Sequence, residues 1–74
     1  MDQRDKERLE EFKGGVQEMA NRIEGITIEM IAMTGRIAQS SQEKAEQLRP
    51  ISAKLREGMD ALNAAKTKLN NLLS

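Results

Sequence analysis

From Leu9 to Ile37, large apolar residues recur at intervals of three and four without a miss: Leu9, Phe12, Val16, Met19, Ile23, Ile26, Met30, Met33 and Ile37. This is the heptad spacing of an amphipathic helix, with a positions at 9, 16, 23, 30 and 37 and d positions at 12, 19, 26 and 33. The run passes through G-I-T-I-E-M-I-A-M-T-G, residues 25–35, a stretch that read alone would suit a β-strand between two turns. A strand there would align Ile26, Ile28, Met30 and Ala32. No second segment alternates in a way that could pair with it, and a lone strand is not stable. The spacing therefore predicts one helix over about 4–39.

The same helix carries a second stripe. Gly25, Ile28, Ala32 and Gly35 follow one another at spacings of three and four, with Ile31 beside them. Glycine costs about 0.5–1 kcal/mol in a helix interior, so four of them (Gly14, Gly15, Gly25, Gly35) need a reason. None lies on the a/d seam. A second contact surface, where another backbone comes close, is one reason; tolerated weak points are the other.

Beyond a polar stretch, A-Q-S-S-Q-E-K-A-E-Q, leucines at 48, 55, 62 and 69 repeat every seven residues. Ile51, Ala65 and Leu72 flank them on one side, Met59 and Leu73 on the other, again as on an amphipathic helix. Ile37 and Leu48 are out of register with a single heptad. The chain either turns back between 39 and 52 or continues as one kinked rod of about 110 Å at ~1.5 Å per residue. Ser40-Ser41-Gln42-Glu43 reads as a capping box, and Pro50 lacks the amide proton that a helix interior needs. Both place a break here. The expected fold is all-α: a helical hairpin with a connection over about 40–50 and a second helix over about 51–73, forming one domain that assembles into a multi-helix bundle or coiled coil.

A hairpin of two such helices cannot cover both stripes of the first. The side chains expected at interfaces are Leu9, Phe12, Val16, Met19, Ile23, Ile26, Ile28, Met30, Ile31, Met33 and Ile37, then Leu48, Leu55, Met59, Leu62 and Leu69. The expected partner is a second copy of the chain, as a dimer or higher oligomer, or a helical protein. A parallel two-stranded pairing through the first seam would oppose Arg8 to Lys13 and form no ion pair, whereas antiparallel pairing can set Arg22 against Glu29. Methionines at 19, 30, 33 and 59 suit core filling as well as a surface that repacks.

Composition excludes much chemistry. The 74 residues contain no His, Cys, Trp or Tyr, and Phe12 is the one aromatic. Without His the commonest general acid–base group is missing, and so is the Glu-x-x-His unit of carboxylate metal sites in helix bundles. Without Cys there is no thiol nucleophile, disulfide or thiolate metal site. Ser40 and Ser41 have no base beside them. Gly14-Gly15 is followed by Val16 rather than by a phosphate-loop Lys. No catalysis, cofactor or metal is expected.

Twelve basic and twelve acidic residues balance overall, with residues 1–38 two units negative and 39–74 two units positive. Arg49, Lys54, Arg56, Lys66 and Lys68 make the second half mildly basic, but no aromatic there can stack on bases, so a solvated face explains them better than nucleic acid does. The charged N-terminal stretch is unlike a signal peptide, and no apolar run suffices for a membrane span. The expectation is a cytoplasmic, non-enzymatic interaction module: an adaptor, assembly factor or small chaperone in a larger complex. A small regulator or inhibitor that binds a protein or nucleic acid, and one strand of a hetero-oligomeric coiled coil, are the alternatives.

Overall fold

The computed structural model describes all residues 1–74 as two helices, α1 (Gln3–Ala38) and α2 (Gln42–Leu73), folded back on each other as an antiparallel hairpin. The Cα positions span 57 × 14 × 13 Å, so each helix runs the full length. Asp2 starts α1, its carboxylate accepting the Asp5 amide proton at 2.9 Å.

The reversal is shorter than the sequence suggests. Gln39, Ser40 and Ser41 complete it, with the amides of Ser40 and Ser41 both donating to the Ile37 carbonyl. The expected connection over 40–50 is thus corrected, as is the capping box. Ser41, not Ser40, is the cap: its hydroxyl accepts from the Lys44 amide at 3.3 Å, while the Ser40 hydroxyl donates back to the Ile37 carbonyl. A serine oxygen reaches the amide three residues on, so the cap at 41 calls on Lys44 and leaves Glu43 outside the box.

Pro50 lies inside α2, eight residues after its start. Its position explains the tolerance. Counted by heptads from Leu48, Pro50 is on the side of α2 directly opposite α1, and it is exposed. The Glu46 carbonyl it frees therefore meets water rather than the hairpin seam, and the ring crowds only the solvent side.

The seam itself differs from an a/d stripe. On α1 the residues turned toward α2 are the a positions (Leu9, Val16, Ile23, Met30, Ile37) and the e positions (Lys13, Ala20, Thr27, Thr34). On α2 they are Ala45, Leu48, Ser52, Leu55, Met59, Leu62, Lys66, Leu69 and Leu73, spaced three and four throughout. Only Ala20, Thr27, Ala45 and Ser52 are buried. These four are small side chains at e positions, where little bulk stands between the two backbones; interaxial distance follows side-chain size at the contact. Thr27, Thr34 and Ser52 satisfy their hydroxyls on the carbonyls of Ile23, Met30 and Leu48, four residues back. They therefore enter the seam without a stranded polar group.

Candidate interaction surface

Turning a and e inward leaves the d column of α1 outside. Phe12, Met19, Ile26 and Met33 are between 44% and 50% exposed. The corresponding column on α2 holds Ile51, Gly58, Ala65 and Leu72, and Ile51 and Leu72 are likewise exposed. The two columns lie on the same flank of the hairpin. The opposite flank is fixed by an open groove of about 420 Å³, lined by Ile31, Thr34, Gly35 and Ala38 on α1 and by Arg49, Ser52, Ala53 and Arg56 on α2.

The register follows from the one side-chain hydrogen bond between the helices, in which the Lys66 ammonium donates to the Gln17 side-chain oxygen. Carried along antiparallel helices, it sets Phe12 within one residue of the level of Leu72, and likewise Met19 of Ala65, Ile26 of Gly58 and Met33 of Ile51. Large stands beside small in the two middle rungs. A Cβ added to Gly58 would meet nothing within 4 Å, and the same holds for Gly14, Gly15, Gly25 and Gly35. Packing inside the hairpin therefore requires none of the glycines.

Charges edge this flank. Outside the d columns, at the g positions, α1 carries Arg8, Gly15, Arg22, Glu29 and Arg36, and α2 carries Gln47, Lys54, Ala61 and Lys68. Five cations thus accompany a single acid, Glu29. Arg8 also lies over the Phe12 ring, 5.2 Å from its centroid, a cation–π contact that shields part of the aromatic face. The three ion pairs, Arg8–Glu11, Lys13–Glu10 and Lys54–Glu57, each join residues three apart on one helix and hold neither helix to the other.

The sequence-predicted interface residues thus divide three ways. Leu9, Val16, Ile23, Met30 and Ile37 meet Leu48, Leu55, Met59, Leu62 and Leu69 in the seam, where they are half-buried. Phe12, Met19, Ile26 and Met33 form the open flank. Ile28, the most exposed of the isoleucines, and Ile31 stand on the other side with Gly35. The small seam residues Ala20, Thr27, Ala45 and Ser52 lie outside the pattern of large apolar side chains; the three–four spacing through 45, 48, 52, 55 and 59 is their signal in the sequence. No three Asp or Glu side chains cluster closely enough to hold a metal ion, and no helix is long and apolar enough to cross a membrane. No protein-family model matches the chain, and comparison with curated proteins and with solved structures finds no match.

Proposed function

We propose that this chain is a non-enzymatic helical oligomerisation and protein-interaction module, acting as an adaptor, assembly factor or small chaperone in a larger complex. One observation carries the reading: the hairpin fully buries no large side chain, while nine large apolar residues stand exposed. Its surface of 5648 Å² compares with roughly 4,600 Å² for a compact monomer of this mass. The excess of about 1,000 Å² is more than the ~800 Å² that each partner contributes to an interface of standard size. The radius of gyration, 17.0 Å, likewise exceeds the ~11 Å of a compact chain of this length. A core of small residues leaves association as the remaining source of apolar burial.

Sedimentation equilibrium combined with circular dichroism tests the reading. Self-association that strengthens with protein concentration, together with helix content that follows it, is expected. A chain that stays folded, stable and monomeric over the whole concentration range refutes the proposal.

A further inference from the structure

Building on that self-association, we propose that the open flank with Ile26 at its centre is the dimer interface, closed by a second copy whose two-fold axis runs along the hairpin. Both tips then lie at the same end, α1 of each copy covers α2 of the other, and the product is an antiparallel four-helix bundle.

Size and charge both select this arrangement. The axis carries the register within one hairpin over to the register between hairpins. Met19 then faces the Ala65 position of the second copy, and Ile26 faces its Gly58. In these middle layers each large side chain meets a small one, as interdigitated packing requires. Gly58, with open space above it in the hairpin, gains a reason: a side chain there would compete with the incoming Ile26. The g positions agree. Glu29 falls level with Lys54 of the second copy, so the one acid of the flank meets a cation twice per dimer. Arg22 falls opposite Ala61, Arg36 opposite Gln47, and Lys68 opposite Gly15. A flank with five cations thus meets itself without opposing two of them. Lys54 pairs with Glu57 of its own helix at 3.3 Å, and its side chain is exposed and free to turn to Glu29 of the second copy.

The absence of cysteine makes the geometry directly measurable. A spin label on Ser40→Cys should give a tip-to-tip distance well below half the 57 Å hairpin length. A distance near the full length means that the tips lie at opposite ends and overturns the arrangement. Glu29→Lys and Lys54→Glu should each weaken dimerisation about tenfold, two modest surface pairs becoming repulsive, and the double variant should recover it. Failure of that recovery also overturns the arrangement. Ile26→Glu should weaken dimerisation at least about a hundredfold, because a charge would be buried without a partner. Ile28→Glu, on the other side, should leave it unchanged. Circular dichroism at matched concentration keeps loss of folding apart from loss of assembly. The opposite order of sensitivity moves the interface to the other flank while leaving self-assembly intact; a wild-type monomer removes the proposed function itself.

Discussion

The seam between the helices and the open flank beside it both carry large apolar side chains, and they differ in the small residues set among them and in how far they are covered. The seam is built where Ala20, Thr27, Ala45 and Ser52 are small enough to be engulfed, and these are the only buried residues. The flank is built from Phe12, Met19, Ile26 and Met33, each about half exposed. Burial contributes roughly 25 cal/mol per Å² of apolar surface. The seam, whose large side chains from Leu9 to Ile37 and from Leu48 to Leu73 are only half-buried, fixes the antiparallel geometry; the flank holds further apolar area that can still add stability. In the proposed assembly, folding the hairpin and covering its flank would be coupled, as in oligomers whose stability depends on protomer concentration.

The contrast breaks most sharply at Ala45, which has no exposed surface. Ala45→Asp forces a carboxylate into the tightest point of the seam, next to the turn. The expected cost is about 3 kcal/mol or more. A small domain commands only ~3–5 kcal/mol, so the helical signal should largely disappear. Ala53→Asp, eight residues along on an exposed position, serves as the control and should change the melt little. If both variants melt alike, the seam is not where the hairpin is held.

How much of this was legible in the sequence follows the same division. The two helices and the reversal between them came from apolar periodicity and from the pair of turn signals, and the observed hairpin agrees. The choice of seam did not come through. Periodicity gives the angle of an apolar stripe on one helix, but not which of its two edges the neighbour takes. That choice turned on Thr27, Thr34 and Ser52, polar residues that become seam-compatible only by returning their hydroxyls to their own helix. The extent of the turn was misread at Pro50 for a related reason. A proline's cost depends on which face it occupies, and that face is known only once the partner helix is placed.

A smaller effect separates the two serines of the turn. Ser41 accepts the Lys44 amide and stands at the start of α2, so Ser41→Ala should cost about 1 kcal/mol. Ser40 donates to a carbonyl that already receives two amides, so Ser40→Ala should cost less than about 0.5 kcal/mol. Urea unfolding of both variants decides the matter. Equal losses would mean that Ser41 is not the sole cap of α2.

The smallest effects distinguish seam from flank by sign. Gly25 lies on neither the seam nor the open flank, and a Cβ there meets nothing. Gly25→Ala should stabilise α1 by about 0.5–1 kcal/mol through helix propensity alone. Gly58 has the same empty surroundings within the hairpin but stands on the flank, level with Ile26. In the Ile26→Glu background, where dimerisation is suppressed, Gly58→Ala should stabilise by a similar amount of about 0.5–1 kcal/mol. With Ile26 intact, the added methyl meets the isoleucine of the second copy, so the helix gain should be offset and dimerisation weakened. Melting temperature and dissociation constant, measured on the same samples, would then move in opposite directions for Gly58→Ala, whereas Gly25→Ala would raise the first and leave the second alone. If Gly58→Ala behaves like Gly25→Ala in both measurements, the flank does not close as tightly as the sizes of Ile26 and Gly58 imply.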